Sequence, residues 1–311
     1  MRLLHTADWH LGSRFHDRRR AADEEHALDQ LIALCREREV DAVLHAGDVF
    51  DNANPGADEQ ERYYRSLARL VREAGVATVV VVAGNHDSAL RLEGPRPLLG
   101  RLGIHVIGRL PREAAAAEVL VELRDRRGEV AALAVALRYL READLRLAAG
   151  AEQAPLADQR YRRALEARYR EAGEAARAAA GGRPVVVMGH CLVDGASFGG
   201  GERPVQVGNL GAVSAAELAG DAAYLALGHL HQPQQVGRPH WRYSGSLLPT
   251  GFDEAGRAKG NFLVDLPPDP AQPARVEFVP LLPYRRYFRL AGDLDALRAQ
   301  VFTLEPPAAS E

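Results

Sequence analysis

Seven residues in five short motifs have the types and spacing of metal ligands. They are Asp8 and His10 in Asp8-Trp9-His10, Asp48 in Gly47-Asp48-Val49-Phe50-Asp51, Asn85 in Gly84-Asn85-His86-Asp87, His190 in Gly189-His190, and His229 and His231 in Gly228-His229-Leu230-His231. Together they offer two carboxylates, one amide oxygen and four imidazoles. Mixed nitrogen and oxygen donors without thiolate suit Mn²⁺, Fe or Zn²⁺, and hydrated Mg²⁺ less well. The set is too large for one ion with an open position; it suits two ions about 3.5–4 Å apart that share a carboxylate. Two such cations lower the pKa of a bridging water and neutralise charge developing on a phosphoryl group, so the chemistry expected is phosphoester hydrolysis. Each fragment alone has a plainer reading. Asp-x-His is common, Gly-Asp-x-x-Asp can be a turn with a helix cap, and Gly-His-x-His can be surface histidines. Their joint occurrence, each behind an apolar run, favours the metal site.

The elements that must position these residues are legible as periodicity. Apolar runs at 2–7, 40–46 and 76–82 read as buried strands, separated by helical patterns at 23–39 and 57–74. This alternation predicts parallel neighbours in an α/β arrangement. Further strands are expected at 104–107, 119–123, 130–137 and 184–189, and helices at 141–149 and 157–180. Strands at 222–227, 234–237, 240–244 and 261–266 follow with short connections, so the second half is expected to be antiparallel. Two sheets flanked by helices make a layered α/β/β/α sandwich. The motifs fall where strands end, the usual place for sites in α/β sheets. If Asp8 to His10 is extended, Asp8 and His10 share a face and Trp9 points away. His86, next to Asn85, should diverge from the ions toward substrate, where it could protonate a leaving oxygen.

With 311 residues, 47% hydrophobic and 26% charged, the chain fits one large or two unequal globular domains. No apolar run is long enough to span a bilayer and the N-terminus reads as a strand rather than a signal peptide, so a cytoplasmic protein is expected. Cys35 and Cys191 make no disulfide framework. Net charge is −3, so any nucleic-acid contact needs a local basic patch. Arg14, Phe15, Arg18, Arg19 and Arg20 follow the first motif and could grip phosphates, or could be a solvated helix start; Ser246 in Ser244-Gly245-Ser246 could offer its backbone N–H. His5 and His45 read as core or supporting residues, and His16, His26, His105 and His240 as surface. Lys259 is the only lysine. Arginine elsewhere suits phosphate contacts, but a compositional bias toward Arg and Ala is the simpler account. The Pro-rich 267–274 reads as a linker. Beyond it, strands at 275–282 and 285–290 and a helix at 293–301 are expected, before a frayed tail at 305–311.

The five motifs resemble those of the calcineurin-like metallophosphoesterases. The stretches Leu-His-Thr-Ala-Asp-Trp-His-Leu-Gly, Ala-Gly-Asp-Val-Phe-Asp, Ala-Gly-Asn-His-Asp-Ser, Leu-Gly-His-Leu-His-Gln-Pro-Gln and Tyr-Ser-Gly-Ser-Leu resemble the bacterial DNA-repair nucleases within that family, relatives of the MRN-complex nuclease. The resemblance implies one ion on Asp8, His10, Asp48 and His231, and a second on Asp48, Asn85, His190 and His229. It implies His86 as the catalytic histidine and Asp51 as the residue orienting it. It further implies a Mn²⁺-dependent 3′→5′ exonuclease and endonuclease acting on double-stranded DNA ends and hairpins in repair, recombination and replication. Partnership with an SMC-like ATPase subunit, a homodimer and a place at the nucleoid are implied as well. A phosphatase or cyclic-nucleotide phosphodiesterase of the same fold is the alternative. The implied organisation is a nuclease domain over 1–266, the linker, and the start of a DNA-capping domain over 275–311, without the ATPase-binding segment.

Overall fold

A computed structural model describes residues 1–109, 116–145, 157–198 and 212–304. The first half runs β1 (Arg2–Thr6), a hairpin of β2 (Arg14–Phe15) and β3 (Arg18–Arg19), α1 (Ala21–Glu37), β4 (Ala42–His45), α2 (Ala57–Arg72) and β5 (Thr78–Val82). Short helical turns α3 (Ala89–Glu93) and α4 (Arg96–Leu99) lead to β6 (Ile104–Ile107). The second half contains β7 (Leu120–Arg124), β8 (Val130–Leu137), α5 (Glu142–Leu145), α6 (Ala157–Ala180), β9 (Val185–His190) and α7 (Ala215–Ala219). Then come β10 (Tyr224–Gly228), β11 (Gln234–Gln235), β12 (Trp241–Tyr243), β13 (Gly260–Asp265), β14 (Arg275–Pro280) and α8 (Leu294–Phe302).

The strands form two six-stranded sheets, ordered β14-β13-β1-β4-β5-β6 and β11-β12-β10-β9-β8-β7. Their inner faces meet through Leu44, Val80, Val82, Ala134, Ala136, Val186 and Met188. β5 is an unbroken Thr-Val-Val-Val-Val run because both its faces are covered: Val80 and Val82 enter the inter-sheet core, Val79 and Val81 the core under the helices. Each fully buried valine contributes roughly 1.5–3 kcal/mol. On the outer face of the first sheet, α1 offers Leu28, Leu31 and Cys35 and α2 offers Tyr63, Leu67 and Leu70. Leu67 and Leu70 are therefore core residues. On the second sheet, α6 packs through Leu165, Tyr169 and Ala176. The result is the expected α/β/β/α sandwich. Among the described residues no helix is long and apolar enough to cross a membrane.

Two expectations about strands are corrected, and the strand expected at 275–282 is found as β14. The second sheet is not antiparallel throughout: β8, β9, β10 and β12 run parallel, with antiparallel pairs only at its edges, β7–β8 and β11–β12. Short connections suggested hairpins, but β10 and β12 are neighbours through a crossover that carries the small edge strand β11. Residues 275–280 pair with β13 over six residues as the outer strand of the first sheet. Residues 285–290 form no strand; they carry aromatic and arginine side chains across α1 and the hairpin instead, with Tyr287 against Phe15 and Arg285 against Asp23. His240 is buried rather than on the surface. The helix expected at 141–149 is present as α5, its remainder lying outside the described residues, as does 305–311.

Candidate metal centre

The carboxyl ends of β1, β4 and β5 in one sheet and of β9 and β10 in the other converge on one edge. The chain does not leave these strands in extended form. Asp8, His10, Asp48 and His229 have φ of 51°, 45°, 53° and 103°, so four of the seven candidate ligands sit in left-handed backbone. Such residues cost about 1–3 kcal/mol each and persist where the surroundings over-determine them. Here cross-loop hydrogen bonds do so. Asp8 N–H donates to Gly47 O at 2.9 Å, His10 N–H to Asp48 O at 3.1 Å, and His229 N–H to the Asp8 carboxylate at 3.1 Å. Asp8 and His10 thus converge through two left-handed turns and not through strand alternation. Trp9 does point away, into the core, with its indole N–H on Thr6 Oγ1 at 2.8 Å.

Two glycines are required by space. A Cβ on Gly84 would lie 2.1 Å from Asp48 Oδ1, and one on Gly47, at φ +97°, would lie 2.3 Å from His190 Nδ1. Asp87, a motif member to which the sequence assigned no role, fastens the second and third loops together. Its buried carboxylate accepts from the N–H groups of Gly84, Val49 and Phe50 at 2.9–3.1 Å.

The donor atoms fall into two groups. His10 Nε2 and His231 Nε2 are 3.1 Å apart, and a donor atom of Asp8 lies within 4.8 Å of theirs. Asn85 Oδ1 lies 2.9 Å from His190 Nε2 and 3.0 Å from His229 Nδ1. Asp48 Oδ2 stands between the groups, 3.3 Å from His190 Nε2 and 3.8 Å from His10 Nε2. Two donors bound to one ion at about 2.1 Å and at right angles lie about 3.0 Å apart, so these spacings fit donors aimed at common centres. His190 Nδ1 faces Ala46 O at 2.8 Å, which turns its Nε2 toward Asn85 and Asp48.

The electrostatics also fit divalent cations. Burial raises the Asp8 carboxyl to about 7, and the Asp48 charge adds to it against the pull of His190. Burial alone would raise Asp48 too, but His190 and His10 outweigh it and hold it below the usual carboxylate range. Burial lowers His190, yet Asp48 carries it up to about 9; burial lowers His10, yet Asp51 and Asp48 carry it up to about 8. Burial keeps His229 down at about 3 and His231 well below its ordinary value, so both stay neutral with a lone pair to give. A site that holds protons on two imidazoles between crowded carboxylates is one from which a cation displaces them.

The remaining candidates divide. His86 is exposed at the mouth, edge-on to His10, and its backbone N–H donates to Asp48 Oδ1 at 2.9 Å. Its Nδ1 meets the backbone carbonyl of Asp51 at 2.7 Å, whereas the Asp51 carboxylate lies 3.5 Å from His10 Nδ1. Asp51 therefore reaches His86 through its main chain, and its side chain addresses His10. Arg14, Arg18 and Arg19 are exposed on the β2–β3 hairpin, whose turn is His16-Asp17 at φ 45° and 62°. Phe15 is buried between Arg20 and Tyr287, out of reach of a ligand. Ser246 is also buried, with its N–H on His231 O and its hydroxyl on Leu248 O, which removes it as a phosphate contact. His5 and His45 are core residues, both pushed down to about 3 by burial. Tyr139, beyond β8, lies beside the rings of His190 and His229; no motif marked it.

Residues 1–233 match the family model described as calcineurin-like phosphoesterase. The chain is 39% identical over 271 residues to the SbcD subunit of the SbcCD nuclease from Rhodobacter capsulatus, covering 86% of this chain and 66% of that protein. It is 39% identical over 278 residues to the same-named protein of Bacillus subtilis, covering 86% and 67%. Against that of Escherichia coli it is 32% identical over 315 residues, covering 99% and 76%. The chain thus spans about two thirds of the length of the first two relatives.

Proposed function

The chain belongs to the calcineurin-like phosphoesterase family, and from that premise we propose that it is a two-metal DNA nuclease of the SbcD type. The observation that carries the proposal is the pair of donor groups sharing Asp48. Asp8, His10, Asp48 and His231 would hold one ion, and Asp48, Asn85, His190 and His229 the other. Mn²⁺ is the metal we propose, since the donors mix imidazole with carboxylate and amide oxygen. Bound ions would lower the pKa of a water and neutralise the phosphate. The chain's own residues do the rest. Asp48 is held in place by the His86 N–H. With Nδ1 on the Asp51 carbonyl, a protonated His86 has its Nε2–H left for the leaving oxygen. The Asp51 carboxylate stands 3.5 Å from His10 Nδ1, placed to orient that ring. Asp51→Ala should therefore weaken Mn²⁺ binding about 10- to 100-fold and leave turnover at saturating Mn²⁺ within a few-fold. Calorimetry and single-turnover rates check both, and a collapse of turnover at saturating metal would count against this division.

DNA as substrate is supported by the relatives' names and by the hairpin. Arg14 and Arg19 are directly paired across β2–β3. Like charges so placed repel, and a polyanion relieves the repulsion. The catalytic unit we propose is 1–266 together with β14, which completes its first sheet, with the residues after β14 belonging to a DNA-capping element. The assembly we propose is a homodimer with an SbcC-type ATPase, acting in the cytoplasm on duplex ends and hairpins in repair and recombination. The test is Mn²⁺-dependent degradation of end-labelled duplex and hairpin DNA beside a small phosphodiester. Cleavage of DNA far exceeding that of the small ester is expected. Arg14→Ala with Arg19→Ala should lower the slope of log affinity against log salt by roughly one per arginine. Rapid turnover of the small ester with intact DNA would favour the phosphatase or phosphodiesterase alternative.

A further inference from the structure

The chain's one lysine is buried beside the proposed metal centre. Lys259 is 6% exposed, and its Nζ donates to His231 O at 2.7 Å, Ser246 Oγ at 2.9 Å and Glu254 Oε1 at 3.0 Å. An ammonium has three N–H donors on one atom, and here three acceptors surround that atom. A guanidinium spreads five donors over a planar fork, so arginine could not meet all three acceptors without leaving donors unpaired in a buried place. Every other basic residue of the chain is arginine. The exception falls where arginine does not fit.

Glu254, 1% exposed, continues the network. Its Oε2 accepts from Thr250 N at 2.6 Å and from Thr250 Oγ1 at 3.1 Å. The Thr250 hydroxyl hydrogen is thereby committed to Glu254. Thr250 Oγ1 then has only lone pairs for His231 Nδ1, which lies 3.2 Å away. The hydrogen between them must belong to the imidazole, and an imidazole protonated at Nδ1 has a bare Nε2. That Nε2 is the atom facing His10 Nε2.

We infer that Lys259, Glu254 and Thr250 are positioning residues that grip His231 by carbonyl and by ring, and fix it as the Nδ1–H tautomer with Nε2 bare toward the ion. The inference rests on the reading of His231 as a ligand. Neither sequence distance nor any motif links these residues to the site; the network exists because the loop between β12 and β13 folds back on the Gly228–His231 loop.

The experiment is ¹⁵N–¹H imidazole spectroscopy of the full chain after chelation, followed by Mn²⁺ titration. Thr250 lies in a partly exposed loop, so the isosteric Thr250→Val should fold. In it His231 moves toward the Nε2–H tautomer and Mn²⁺ affinity falls about 10- to 100-fold. Thr250→Ser restores both. Lys259→Arg, which keeps the charge, lowers affinity by the same order; wild-type affinity in that variant would overturn the requirement for an ammonium. Wild-type His231 resonances that ignore Mn²⁺ would overturn the ligand assignment. Resonances that respond to Mn²⁺, together with a Thr250→Val ring still protonated at Nδ1 and binding Mn²⁺ normally, would overturn the relay alone.

Discussion

Asp48→Asn is expected to remove metal-dependent hydrolysis almost completely. Asp48 is the carboxylate we assign to both donor groups, buried, with one oxygen toward His190 and His10 and the other on the His86 N–H. Asparagine is the informative replacement. It tolerates the φ of 53° at this position better than alanine, and it can still accept the His86 N–H. What it lacks is the charge that the crowded imidazoles and two bound cations would require. Mn²⁺ stoichiometry should fall from two ions to one or none. Cleavage of duplex DNA should drop on the order of 10³-fold or more, equivalent to roughly 4 kcal/mol of transition-state stabilisation. That exceeds what removal of a merely supporting residue costs. Metal analysis and single-turnover cleavage make the check; full activity in Asp48→Asn would refute the site as drawn.

His86→Ala should separate chemistry from metal binding. The residue's backbone supports Asp48 while its ring stands exposed at the mouth, so truncation removes the ring and leaves the donor groups intact. Turnover should fall about 10²- to 10⁴-fold, the range for loss of a general acid, with both ions retained. The loss should appear in the rate at saturating DNA rather than in affinity. Normal turnover, or loss of Mn²⁺, would remove His86 from the proton-delivering role. Because its Nδ1 contact is to a backbone carbonyl, no side-chain change at position 51 should reproduce this defect.

The sequence by itself determined the composition of the proposed centre and the strand ends that would carry it. The seven candidate donors, their glycines and the apolar runs behind them are local features. Buried strands such as Thr78–Val82 declare themselves through β-branched residues alone. The α/β/β/α layering followed from the same runs. Tertiary structure decided what depends on partners distant in the chain. Asp8, His10, Asp48 and His229 adopt left-handed backbone because loops from two sheets hold them there; the modest preference of Asp and His for that region does not by itself say which of them adopt it. The parallel run of β10 beside β12, and β14 as a sheet edge, depend on which strand lies next to which rather than on connection length. Phe15 and Ser246 were plausible surface contacts until their neighbours covered them. Lys259 looked like an accident of composition, and its three acceptors come from residues up to 28 positions away. A donor's identity is written in one residue; its direction, tautomer and charge are set by everything packed against it.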